Sequence, residues 1–368
     1  MKETRYTVIG AGHGGKAMAG DLAVKGFVVN LYNRTAERIN EIALRGEMEM
    51  EYEDGSHRHG RMAVVSSDIA EALDEADVIM VVVPASGHRD VARSCAPHLR
   101  DGQIVVLNPG RTGGALEFRQ IIEKAGCTAD VIVAETGTFI FASRSTGPAQ
   151  ARIFRRKNAV PLAALPAQRT GHVLETVCEA YPQFIPAPNV LHTSLDNMGA
   201  MFHPALTLLN AGWIEHTKGD FQFYIEGVTP TTAQVLEALD RERVTIAAAL
   251  GVYTRSATQW LKDAYSTTGR SLYEAIQGNP GYRGIMAPRN LRHRYIFEDI
   301  PFSLVPMISL GAQFGVSTWA IDAMVRLACV AHGTNYYARG RTVEDMGLKD
   351  LRVSEVVRYV QDGRVDPV

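Results

Sequence analysis

Tyr6-Thr-Val-Ile9, running directly into Gly10-Ala-Gly12-His13-Gly14-Gly15, is the stretch that decides the fold of this chain. Tyr6–Ile9 is a short strand-forming run. Beyond the glycines, Lys16-Ala-Met-Ala-Gly-Asp-Leu-Ala23 has apolar residues at helical spacing. Strand, glycine turn and helix in that order are the context in which Gly-x-Gly-x-x-Gly holds a dinucleotide. Gly10 allows the tight turn, Gly12 lets the backbone approach a pyrophosphate, and Gly15 lets the helix pack close to its strand. The helix start adds N–H groups and a positive dipole end. Gly10, Gly12, His13, Gly14 and Gly15 are therefore the expected pyrophosphate contacts.

The next strand, Phe27-Val-Val-Asn-Leu-Tyr32, ends in Asn33-Arg34-Thr35. A carboxylate here would bind the ribose hydroxyls of NAD. None is present, and a guanidinium between two short polar side chains suits a 2′-phosphate, so NADP is favoured. In the alternative, an NAD enzyme, Arg34 covers the adenine and Thr35 caps the following helix. The strand rhythm continues through Ala76–Pro84, Gln103–Asn108 and Val131–Thr136. Ligands gather at the carboxyl ends of such strands, which selects Pro84, Ser86 and Asn108 for the cofactor and Glu135 for the substrate. Glu47–Glu53 runs into Asp54-Gly55 and predicts a small hairpin; His57 and His59 beside it read as solvated. Asn158–Ala167 reads as an edge strand because of its prolines.

The chain has 368 residues, 46% hydrophobic and 21% charged, with a net charge of −2 and no basic stripe to attract nucleic acid. That length predicts two domains. The dispersed Cys95, Cys127, Cys178 and Cys329 form neither a zinc pattern nor a disulfide framework. No apolar signal core precedes the first strand, so a cytoplasmic location is expected. The proline-dense Tyr181–Asn189 marks the boundary, giving domains 1–188 and 189–368. Beyond it the pattern is helical: Leu195–His216, Thr231–Leu250, Thr254–Tyr265, Leu272–Ile276, Phe302–Phe314 and Trp319–Ala331. The expected fold is α/β plus all-α: a Rossmann-type dinucleotide-binding domain, then an all-helical domain, with the active site in the cleft. A spare apolar face on the helical half makes a homodimer the expected assembly.

Asn197-Met-Gly-Ala-Met-Phe-His203-Pro204-Ala-Leu-Thr-Leu-Leu-Asn210 carries one imidazole on a helix that Pro204 should bend. Gly199 and Ala200 leave space one turn earlier. Two readings stand: a core histidine beside a packing kink, or a proton-transfer group. Arg294-Tyr-Ile-Phe-Glu298-Asp299-Ile-Pro301 supplies a possible partner. If Asp299 accepts from one nitrogen of His203, it fixes the tautomer and makes the other more basic. Arg294 can bind a carboxylate bidentately. The competing reading makes these charges a surface ion-pair net.

Over nearly its whole length the chain resembles the octopine/nopaline (opine) dehydrogenases. The shared segments are Gly10–Gly15, Leu107-Asn-Pro-Gly-Arg-Thr-Gly-Gly114, Glu135-Thr136, Asn197 through Ala205, Leu209-Asn-Ala-Gly212 and Arg294–Pro301. The resemblance implies NAD(P)H-dependent reductive condensation of a 2-oxo acid with an amino acid. It implies His203 and Asp299 as the catalytic dyad and Arg294 close to the keto acid; Asn197 and Glu135 complete the expected substrate set. One departure is Trp319, where the family pattern has proline after Thr318. The nearest rival, a 2-hydroxyacid or ketopantoate-type reductase, needs a lysine four residues before Asn197, where Thr193 stands. The other rival is a non-catalytic NADP-binding sensor. No metal site is expected.

Overall fold

The computed structural model describes residues 4–363. Contacts divide them into two units. The first comprises the described part of Met1–Gly110, Gly114–Thr193 and the described part of Arg358–Val368; the second comprises Arg111–Gly113 and Ser194–Val357. The chain is therefore cut at several places, where the sequence reading has one cut after residue 188. Side chains explain the return of the C-terminus to the first unit: Gln120 donates to the Tyr359 hydroxyl at 3.3 Å and Gln168 to Asp362 at 2.7 Å.

The first unit is built on an eight-stranded sheet. Its order is Phe184–Pro186, Val160–Leu165, Ile132–Thr136, Ile104–Leu107, Val78–Val81, Arg5–Ile9, Val28–Tyr32 and Val64–Ser66. The central strands are parallel and read as unbroken apolar runs because both faces are covered. The reversal of order beside Arg5–Ile9 is the crevice position of a doubly wound sheet. Val160–Leu165 is not the edge strand its prolines suggested. It pairs antiparallel with Ile132–Thr136, and the outer place is taken by Phe184–Pro186, drawn from the proline-dense stretch.

A second sheet of four strands was not anticipated. The expected hairpin, Glu47–Glu51 with His57–Arg61, forms around Asp54-Gly55, and a second hairpin, Phe141–Gly147 with Gln150–Arg156, joins it through Gln150–Arg152. His57 and His59 sit on an exposed strand and face Glu49 and Glu47 at 3.0 and 3.1 Å. Helix His13–Val24 packs against this sheet through missing side chains: a Cβ on Gly20 would collide with the Met50 sulfur, and one on Gly60 would lie 2.8 Å from the Gly20 carbonyl.

The second unit is helical. Its elements follow the expected periodicity, as Met198–Leu209, Ala211–Thr217, Pro230–Ala249, Ala257–Tyr265, Leu272–Gln277, Val305–Phe314 and Trp319–His332. Local caps place several starts: Thr229 and Thr232 form a capping box with Pro230 in the first turn, and Ser256 and Ser271 each accept an N–H three residues on. Gly315 ends one helix in a left-handed conformation. Thr318 stands at the N-cap of the next helix without a side-chain cap. The Glu242 carboxylate takes that role, accepting the Ala320 and Ile321 N–H groups at 2.8 and 2.9 Å. Among the described residues no helix is long and apolar enough to cross a membrane.

Candidate active site

Gly12 is the N-cap of the 12-residue helix His13–Val24, with extended backbone and no side chain closing the first turn. A Cβ on Gly12 would meet nothing within 4 Å. A Cβ on Gly15 would collide with the Gly10 carbonyl oxygen, and one on Gly10 (φ +112°) would lie 2.5 Å from the Val82 carbonyl. Two glycines thus close the turn while the third leaves open space above uncapped N–H groups, and no acidic residue occupies that first turn. This is the form a phosphate needs, so the residues present fit a dinucleotide.

The neighbours of that turn divide into braces and open groups. Asn33 is a brace: its Oδ1 accepts the Ala11 N–H at 3.0 Å and its Nδ2 donates to the Thr35 carbonyl. His13 Nδ1 accepts the Ser145 N–H at 3.0 Å, and a Cβ on Gly14 would lie 3.0 Å from the Phe139 ring. Thr35 stands at the N-cap of Ala36–Arg38 without a side-chain cap. Arg34 is 77% exposed and lies 3.4 Å from Asp90, itself 62% exposed. A pair that open to solvent is worth little and yields readily to a stronger anion. Pro84 and Ser86 are exposed at the end of Val78–Val81.

Two expected lining residues turn inward instead. Asn108 is buried and donates to the Val106 carbonyl at 2.9 Å. Glu135 is fully buried, accepting the Ala115 N–H at 2.8 Å and the Thr193 hydroxyl at 2.6 Å. A carboxylate held under the turn by such bonds braces the start of helix Gly114–Lys124.

The second unit brings His203 and Asp299 together. His203 lies on Met198–Leu209 and Asp299 follows the short helix Arg294–Phe297, 96 residues away, yet His203 Nδ1 sits 2.9 Å from Asp299 Oδ2. The ring fits because position 199 is glycine: a Cβ there would come within 3.0 Å of His203 Cε1. The space that Gly199 leaves is used by the histidine itself. Tyr295 stacks on the imidazole, centroids 4.0 Å apart at 16°. Asn197, buried, donates to the Ser303 hydroxyl at 3.0 Å and so ties the helix start in place. Arg294 is exposed and, among the described residues, pairs with no carboxylate.

Asp299 is 1% exposed at its side chain. Burial alone would push its carboxyl up. The Arg111 guanidinium, then the His203 hydrogen bond, then Arg294 outweigh burial and hold it below the usual carboxylate range. The Arg111 contact is an ion pair at 3.1 Å, without the alignment of a hydrogen bond to Oδ1. Arg111 also holds Glu298 through both ends of its fork, Nε to Oε1 and Nη2 to Oε2 at 3.2 Å each. Sequence reasoning assigned no role to Arg111, Tyr295 or Ser303. The signal for Arg111 was a lone cation between glycines in Pro109-Gly-Arg-Thr-Gly-Gly114.

A family model described as "NAD/NADP octopine/nopaline dehydrogenase, alpha-helical domain" matches residues 186–332, and one described as "NAD-dependent glycerol-3-phosphate dehydrogenase N-terminus" matches residues 5–132. The opine dehydrogenase of Arthrobacter sp. (strain 1C) is 41% identical over 361 residues, covering 98% of this chain and 100% of that protein. The chain belongs to the opine dehydrogenase family. It is an NAD(P)-dependent oxidoreductase, with a Rossmann-type domain followed by a helical one. The octopine dehydrogenase of Pecten maximus is 23% identical, covering 91% of this chain and 92% of that protein. The fold is also that of an octopine dehydrogenase solved with NADH and L-arginine (TM-score 0.81, 22% identity, 96% of this chain and 98% of that one). A yersinopine dehydrogenase solved with NADP+ shares it too (TM-score 0.78, 16% identity, 98% and 99%).

Within this opine dehydrogenase-family chain, Thr193 is committed to Glu135 and the Val190 carbonyl. No ammonium stands where the ketopantoate-type reading requires one. Trp319, 80% exposed, opens helix Trp319–His332.

Proposed function

We propose that this enzyme condenses a 2-oxo acid with the amine of an amino acid and reduces the resulting imine, giving an N-(carboxyalkyl) amino acid reversibly. The observation that carries the reading is the His203–Asp299 hydrogen bond at 2.9 Å, beside an exposed, unpaired Arg294. Bound NAD(P)H supplies the hydride for the imine carbon. With Nδ1 engaged by Asp299, Nε2 of His203 is left to face the reactants. As imidazolium, His203 gives its proton to the hydroxyl of the carbinolamine: the N–H bond breaks, an O–H bond forms, and the C–O bond breaks as water leaves. In the oxidative direction neutral His203 takes a proton from the water attacking the imine. Asp299 keeps the tautomer and stabilises the charged ring, and Tyr295 holds the ring plane. Arg294 binds a substrate carboxylate with its planar fork.

Gly10, Gly12, Gly14 and Gly15 hold the pyrophosphate, with His13 and Asn33 bracing the turn. Arg34 and Thr35 receive the ribose, and NADP is the preferred form because Arg34 needs only to leave an exposed partner. Pro84 and Ser86 flank the cofactor. The extents 1–188 and 189–368 are proposed as the sequence domains. A cytoplasmic location is supported by four free cysteines, and a homodimer by Trp319, Leu327 and Val330, exposed on one helix.

The reading is tested by following NADPH and NADH oxidation with pyruvate, with and without amino acids. Oxidation is expected only when both substrates are present, with the lower KM for NADPH. Oxidation that ignores the amino acid would instead make the enzyme a hydroxyacid-forming reductase.

A further inference from the structure

We propose that Arg111, clamped by Glu298, is a positioning residue that sets the proton affinity of the His203–Asp299 pair. The inference rests on the reading of His203 as the general acid. Arg111 reaches the cluster from a turn in which it adopts φ +62°, a left-handed conformation rare for a side chain of its size. Its own side chain is 11% exposed, and Glu298 and Asp299 are 8% and 1% exposed. The geometry is a relay: Glu298 fixes the fork on two nitrogens, the remaining Nη1 lies 3.1 Å from Asp299 Oδ1, and Oδ2 binds His203.

The consequence is a charge balance. Summed over Arg111, Glu298, Asp299 and His203 alone, the charges cancel when His203 is protonated. Without Arg111 the imidazolium would face two carboxylates from which this cation has been removed, and would hold its proton more tightly. Without Glu298 the cluster would be neutral before His203 is protonated, and the imidazolium would be disfavoured. The other groups facing the pair do not replace this balance. His293 is pushed down by burial, by Arg294 and by His203. Tyr295 and Tyr224 are both pushed up by burial and stay neutral at working pH. Arg294 is exposed and therefore screened by solvent.

The test is the pH dependence of kcat for imine reduction by the full chain at saturating substrates. The acid form of His203 is the active one, so the rate falls on the alkaline side. Arg111→Gln should move that limb to higher pH by about one unit or more, and Glu298→Gln should move it to lower pH. The double substitution should return it close to the wild-type position. Arg111→Lys keeps the charge but loses the fork, so it should lower kcat with little movement of the limb. If Arg111→Gln does not fold, Glu298→Gln and Arg111→Lys decide the matter alone. Limbs that coincide with wild type, or that move in the same direction for Arg111→Gln and Glu298→Gln, would overturn the proposal. An alkaline limb that persists in His203→Ala would instead remove the general-acid reading beneath it.

Discussion

His203→Ala is expected to lower kcat for the condensation by about 10²–10⁴-fold, the usual range for losing a general acid, with little change in NADPH affinity. The separation follows from where the groups lie. The glycine turn, Arg34 and Thr35 belong to the first unit, and His203 belongs to the second. Loss of an imidazole that is 18% exposed removes the proposed proton donor and a stacking partner of Tyr295 and leaves the turn's N–H groups unaltered. Fluorescence titration with NADPH gives the affinity, and steady-state rates give kcat. A variant that keeps more than about a hundredth of the wild-type kcat would place the proton donor elsewhere.

The second large effect concerns stability. Arg243 is fully buried in helix Pro230–Ala249. Its guanidinium donates to Asp240 Oδ1 at 2.7 and 3.0 Å, to the Leu195 carbonyl at 2.6 Å, to Thr254 Oγ1 at 2.7 Å and to the Arg255 carbonyl at 2.5 Å. Arg243→Met fills similar space yet leaves the Asp240 carboxylate without its counter-charge. It also leaves two carbonyls unsatisfied, so a loss of about 3–5 kcal/mol is expected, as for breaking one side of a buried pair. The midpoint of urea unfolding of the helical unit measures it. Asp240→Asn added to Arg243→Met should recover part of the loss, because the unpaired charge is then gone. An unchanged midpoint in Arg243→Met would mean that solvent reaches the cluster and screens it. Leu195 lies just before the helix that carries His203, so activity should fall along with stability.

Much of the fold was legible because its signals are local. The glycine turn, the apolar runs of the parallel strands and the helical spacing of the second half each lie within a few residues. The second sheet was not. Phe141–Gly147 and Gln150–Arg156 carry serine, threonine and arginine on a half-exposed surface, and their pairing with Glu47–Glu51 depends on contacts far along the chain. Phe184–Pro186 was hidden by its prolines, which an outer strand tolerates. In the site, the pairing of His203 with Asp299 was legible, whereas Arg111 was not, because 187 residues separate it from Glu298. Asn108 and Glu135 show the opposite limit. Their places at strand ends were readable, but whether a side chain points outward or folds beneath the next turn is decided by hydrogen bonds that only the folded chain makes.

The identity of the product tests the central claim most directly. The enzyme, NADPH and a 2-oxo acid are incubated with a ¹⁵N-labelled amino acid, and the product is examined by mass spectrometry and NMR. A secondary amine is expected, with its labelled nitrogen bonded to the α-carbons of both former substrates and one NADPH consumed per product formed. A 2-hydroxy acid, with the label still in free amino acid, would contradict the account.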